Sequence, residues 1–142
     1  MSALDAAVLA ERVAAVERHL RRVAEKLPDR PVDLVAAPDT SDAVVLHLWL
    51  AVQLVIDLAM ALCVRLGLGV PESYREAFER LSRAGHIETS LAERLARAAG
   101  FRNLVAHAYE GLDMERVHAA AKDGPSDLLA FLRIARDTVI QK

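Results

Sequence analysis

Residues 9–27 read LAERVAAVERHLRRVAEKL. Leu9, Val13, Val16, Leu20, Val23 and Leu27 recur at alternating steps of four and three, which lays one apolar stripe along an α-helix. Glu11, Arg12, Glu17, Arg18, Arg21, Arg22 and Glu25 fill the other faces. The pattern predicts a helix from about Ala3 to Leu27, stopped by Pro28 and Pro31. An Ala- and Leu-rich composition with 6 glycines and 5 prolines carries the same preference for helix over strand through the chain.

Working outward, Asp29 to Thr40 contains Pro31 and Pro38, has little periodicity and reads as a loop. A second helix is expected from about Asp42 to Leu66, ended by Gly67-Leu68-Gly69. Apolar residues surround it nearly completely, so it belongs at the centre. Its charge-free run, Ala43 to Ile56, is 14 residues long, short of the ~20 that a membrane-spanning helix needs. Gln53 and Asp57, four apart, share one of its faces. Pro71 suits the first turn of a third helix, running to about Ala84 and ended by Gly85. Ser90 and Glu93 have capping-box spacing for a fourth, which extends as far as His107 before Glu110-Gly111 breaks the pattern. Gly124-Pro125 precedes a last helix from about Ser126 to Val139. The expected architecture is therefore all-α: a single-domain bundle of about five helices over residues 1–142, mostly antiparallel.

Charge narrows the function. The formal net charge is −2, which excludes a protein that coats nucleic acid through a generally basic surface. Action on RNA would need local positive charge, or charge gathered from two copies. Cys63 is the lone cysteine, so no intrachain disulfide forms; this suits a reducing cytoplasm. Residues 1–12 include Asp5 and Glu11 and lack the basic and apolar blocks of a signal peptide. His19, His47, His86 and His118 are scattered without metal-ligand spacing, and no Gly-rich phosphate loop or nucleophile elbow is present. Neither a metal nor a cofactor is expected.

The segment that concentrates chemistry is Phe101-Arg102-Asn103-Leu104-Val105-Ala106-His107-Ala108-Tyr109. It sets a permanent cation, an amide, an imidazole and a phenol within a largely apolar stretch. Asn103 and His107 are four apart and share a helical face. Arg102 and His107 are five apart, about 140° round an ideal helix. Either Arg102 reaches round, or the helix bends or ends before His107.

Arg102, four residues, His107, one residue and Tyr109 resemble the motif of HepT toxins in the HEPN ribonuclease superfamily. Gln53…Ile56-Asp57, the segment Val70-Pro71-Glu72-Ser73-Tyr74-Arg75-Glu76-Ala77-Phe78 and the following Leu81 also look like that family's sequence. Asp29 to Asp39 is longer and richer in proline than the family's connection, which bears on loop shape. The resemblance implies a metal-independent endoribonuclease acting as the toxin of a toxin–antitoxin pair. Arg102 and His107 would be catalytic, with an RNA phosphodiester as substrate and two copies paired as a homodimer. An imidazole titrates near neutrality and can move the proton, while a guanidinium can grip the phosphate oxygens. Asn103 would orient His107 or bind phosphate. The resemblance further implies a partner antitoxin, an MntA-like minimal nucleotidyltransferase, that transfers AMP to Tyr109 and so places negative charge beside the site.

Plainer readings stand beside these. Arg102 can be a surface ion-pair residue, His107 a packed histidine, Tyr109 a packing residue and Asn103 a helix-end hydrogen bonder. Gln53 and Asp57 need polar partners if buried. They either bond a neighbouring helix or dimer face, or support Arg102 and His107. The alternative function is a non-catalytic HEPN module that docks on a nucleotidyltransferase or binds nucleotides.

Overall fold

In the computed structural model, which describes residues 4–140, the stripe of residues 9–27 forms α1 (Ala6–Lys26) and buries Leu9, Val13, Val16, Leu20 and Val23. Each such side chain contributes roughly 1.5–3 kcal/mol on leaving water. The Asp5 carboxylate caps the helix by accepting the Val8 N–H at 2.8 Å. The stripe docks along α3 (Pro38–Arg65), and this is the most extensive helix–helix interface in the fold.

The stretch expected as loop is partly helical. Pro31 opens a short helix, α2 (Pro31–Val35), and Pro38 opens α3 four residues before Asp42. Both prolines read as breakers because they stop a preceding helix, yet their fixed φ also suits a first helical turn. Leu34 anchors α2 with no exposed surface.

α3 is the central element and touches α1, α2, α4, α5 and α6. It buries Val44, Val45, Leu48, Val52, Val55, Leu58 and Leu62, among others. By length and composition it is apolar enough to cross a membrane, with half of its most apolar 18-residue window buried against the other helices. At its end Gly67 adopts φ 75, and the Leu68 N–H returns to the Cys63 carbonyl at 2.9 Å, a left-handed cap that favours glycine.

The third expected helix, α4 (Tyr74–Arg83), starts later than Pro71 because Ser73 caps it. Ser73 Oγ accepts the Glu76 N–H at 3.1 Å while Glu76 Oε2 accepts the Glu72 N–H at 3.4 Å. The capping box is thus Ser73-x-x-Glu76, not Ser90-x-x-Glu93: α5 (Thr89–Ala108) starts after Glu88 with no side-chain cap. Residues 109–111 form a single 3₁₀ turn.

The largest departure is α6 (Met114–Ile140), which begins about twelve residues before the expected Ser126 and carries Pro125 inside it. A Gly-Pro pair normally ends a helix. Here one buried stripe, Val117, His118, Ala121, Leu128, Phe131, Leu132, Ala135 and Val139, continues through it. That burial outweighs the one hydrogen bond that proline removes, a cost of about 3 kcal/mol. Phe131 meets Phe78 of α4 edge-on, centroids 5.9 Å apart, closing one core. The architecture is all-α, with six α-helices and no strand among the described residues.

Candidate functional site

α3 keeps one side partly uncovered. Asp42, Leu46, Trp49, Leu50, Gln53, Asp57, Met60 and Val64 recur at helical spacing, and none of them is buried. The C-terminal half of α5 lies against this side. Trp49 Nε1 donates to the Arg102 carbonyl at 3.3 Å, which pins the α5 backbone beside α3.

A polar chain then crosses three helices. Gln53 Nε2 donates to Asp57 Oδ1 at 3.0 Å, and Arg102 Nε donates to Gln53 Oε1 at 2.6 Å. The carboxylate can only accept and the guanidinium can only donate, so together they fix which way the Gln53 amide faces. Arg102 Nη1 donates to Asn103 Oδ1 at 2.9 Å, and Asn103 Nδ2 donates to Tyr74 Oη at 3.3 Å. A guanidinium has five N–H donors. Two are used here, which leaves three without a protein partner among the described residues. Arg102 is therefore anchored but unsatisfied, and it is half-exposed. A second anion can dock on it without breaking the anchor.

His107 lies further along α5, which runs unbroken to Ala108. It is exposed, and no hydrogen bond joins it to Arg102 or Asn103 among the described residues. The helix does not end before it, and Arg102 turns to Asn103, which lies one helical turn before His107. Asn103 contacts Arg102 and Tyr74 rather than His107.

Tyr109 follows α5 in the 3₁₀ turn and is 43% exposed. Its O–H donates to Asp42 Oδ1 at 2.5 Å. That hydrogen bond, then burial, then the charges of Asp42 and Glu110, hold the phenol above its ordinary pKa. A groove of about 340 Å³ beside it is lined by Asp42, Val45, Leu46, Trp49, Val105 and Tyr109.

Gln53, Asp57, Arg102 and Asn103 are thus joined, and His107 and Tyr109 sit beyond them on the same helix and the turn after it. Sequence reasoning missed Asp42 and Trp49. Each stands four positions before another residue of this side, Asp42 before Leu46 and Trp49 before Gln53, but a tryptophan on an apolar helix reads as core. Tyr74 stood out only as part of the family-like segment Val70 to Phe78, and nothing in its spacing pointed to the bond its hydroxyl makes with Asn103. No group of three or more His, Cys, Asp or Glu side chains able to hold a metal occurs among the described residues.

Residues 16–135 match the family model described as "Ribonuclease HepT-like". The mRNA nuclease HepT of Shewanella oneidensis is 23% identical over 129 residues, 91% of this chain and 96% of that protein. A protein of Archaeoglobus fulgidus is 35% identical over 107 residues, 70% of this chain and 80% of its own length. Among solved structures, the tri-AMPylated Shewanella oneidensis HEPN toxin in complex with MNT antitoxin superposes with a TM-score of 0.81 at 24% identity, covering 89% of this chain and 94% of that one. A toxin–antitoxin crystal structure with AMP-PNP gives 0.81 at 23% identity, covering 89% and 96%.

Proposed function

The chain belongs to the ribonuclease HepT-like family, and on that premise we propose that it is the toxin of a toxin–antitoxin pair, an endoribonuclease that cuts RNA without a metal. The observation that carries the reading is the anchored Arg102: Gln53 and Asn103 hold it while three of its N–H donors have no partner among the described residues. Buried ion pairs satisfy their donors; a guanidinium held this way suits the oxygens of a phosphodiester.

In the proposed reaction an imidazole takes the proton from the RNA 2′-hydroxyl. The 2′-oxygen attacks phosphorus, the P–O5′ bond breaks, and the 5′-oxygen takes up a proton. The products are a 2′,3′-cyclic phosphate and a 5′-hydroxyl. Arg102 stabilises the charge on the non-bridging oxygens, and His107 moves the proton. Gln53, Asp57 and Asn103 keep Arg102 in place.

No hydrogen bond joins Arg102 to His107 within one protomer among the described residues, and a homodimer as the active form would let a second copy of the motif complete the site. The uncovered side of α3 is the surface for it. Leu46 and Val64 are 52% and 48% exposed there, beside Trp49, Leu50 and Met60. Pairing two such faces would bury them and bring a second copy of the motif to the first. It would also gather the positive charge that a chain of net charge −2 lacks.

Tyr109 is the proposed acceptor of AMP from an MntA-like nucleotidyltransferase. Its exposure leaves the phenol open to a partner enzyme once Asp42 releases it, and the added phosphate would oppose an RNA phosphate at the same place. Both proteins would act in the cytoplasm, where the RNA is.

Inducible expression in bacteria tests the reading. Wild type without a nucleotidyltransferase partner arrests growth, while Arg102→Ala and His107→Ala do not. Equal toxicity of all three, or none from wild type, rejects the enzyme and favours a non-catalytic docking module.

A further inference from the structure

We infer that the groove between α1 and α3 around His19 and His47 is an anion site for a phosphate group, formed where these two rings meet Arg18, Arg21 and Arg22. It lies away from the Arg102 side: His47 and Gln53 are six positions apart on α3, about 120° round the helix. Nothing in the inference rests on the ribonuclease reading.

The first observation is unpaired charge. Positions 18–26 of α1 hold Arg18, Arg21, Arg22 and Lys26 against one acid, Glu25. Arg18 with Arg22, and Arg22 with Lys26, are like charges one helical turn apart, which destabilises a helix on its own. None of the four enters an ion pair among the described residues, not even with Glu25. The ion pairs that do form lie elsewhere in the chain.

The second observation is the histidine pair. His19 Nδ1 and His47 Nδ1 are 3.0 Å apart, with ring centroids at 5.3 Å and planes tilted by 34°. At that distance one Nδ1 must carry the hydrogen and the other the lone pair. Two Nδ1–H groups would point at each other. The pair therefore holds a single shared proton at Nδ1, and both Nε2 atoms remain available.

The third is space. A groove of about 290 Å³ is lined by Arg18, His19, Arg21, Arg22, Glu25 and His47, enough for a tetrahedral oxyanion. Guanidinium forks match such an anion in geometry as well as charge. The same arginines would repel a metal cation approaching the two imidazoles.

Protonation follows from the surroundings. For His19, burial and then the charges of His47, Arg18 and Arg22 depress the imidazole; for His47, burial and then Arg22 and Lys26 do so. Glu25 is the acid on the groove. An anion bound there offsets the cations and favours the imidazolium, so binding takes up a proton and tightens as pH falls.

The test is imidazole NMR of the purified protein with two probes: inorganic phosphate, and a short oligodeoxynucleotide. The latter has no 2′-hydroxyl to be cut, and its phosphodiester charge is constant from pH 6 to pH 8. The expected result is saturable movement of the His19 and His47 resonances, with oligonucleotide affinity rising from pH 8 to pH 6 by at most about tenfold per pH unit for one proton taken up. Arg22→Ala, at an exposed helix position, weakens binding by about fivefold or more. His47→Gln removes the pH dependence, and Arg83→Ala, at an exposed position of α4, changes neither readout. Tighter binding of the oligonucleotide assigns the site to nucleic-acid backbone; tighter binding of phosphate assigns it to a free anion. Silence of both histidine resonances toward both probes, or unchanged affinity in Arg22→Ala, overturns the inference.

Discussion

Gln53→Ala isolates the anchoring of Arg102 from its chemistry. The substitution removes the acceptor 2.6 Å from Arg102 Nε and the donor to Asp57. A hydrogen bond to a charged group is worth about 1.5–3 kcal/mol. Gln53 and Arg102 are both half-buried, so the lower end applies, about 1.5 kcal/mol. If that energy holds the guanidinium in its productive place, RNA cleavage falls about tenfold, since 1.4 kcal/mol is a factor of ten. The fold changes little, because the amide lies on the uncovered side of α3 and alanine is a good helix former. Trp49 still holds the Arg102 carbonyl. The assay is the initial rate on a fluorogenic RNA, beside a urea melt of the same preparation. A rate within about twofold of wild type, with stability unchanged, would refute the idea that this contact positions Arg102.

Three further outcomes are expected. Phe131→Ala removes a ring with no exposed surface that packs edge-on against Phe78; it lowers unfolding free energy by about 3–5 kcal/mol in denaturant titration. Ser73→Ala deletes the cap that accepts the Glu76 N–H and costs about 1 kcal/mol by the same measurement. The raised pKa of Tyr109 means that its contact with Asp42 stabilises the fold below the ordinary phenol range and is lost as pH rises through the folded value. Ultraviolet titration of Asp42→Asn therefore shows a phenol ionising at lower pH than in wild type, and an unchanged curve counts against the contact.

What was legible in the sequence differs by element. The stripe of α1 stood out because its polar residues separate cleanly from its apolar ones, and the motif in α5 was readable from residue types alone. The start of α6 was hidden. Glycine and proline at 124 and 125 carry a strong local signal, whereas the compensating burial of Val117, His118 and Ala121 depends on α2, α3 and α5 being in place. Pro31 and Pro38 misled in the same way, since a proline that ends one helix can begin the next. The pairing of Gln53 with Asp57 followed from spacing, but their link to Arg102 spans 49 positions and is fixed by tertiary packing. The relation of Arg102 to His107 was left open by spacing. The unbroken α5 shows that the helix does not end before His107, and Arg102 turns to Gln53 and Asn103.

The most direct measurement is the chemistry of the RNA ends released by the purified protein in excess chelator. Mass spectrometry of the fragments should find 2′,3′-cyclic phosphate and 5′-hydroxyl ends from wild type, and no cleavage by Arg102→Ala or His107→Ala. Cleavage abolished by chelator, or the same fragments from either variant, would contradict a reaction carried by that guanidinium and that imidazole.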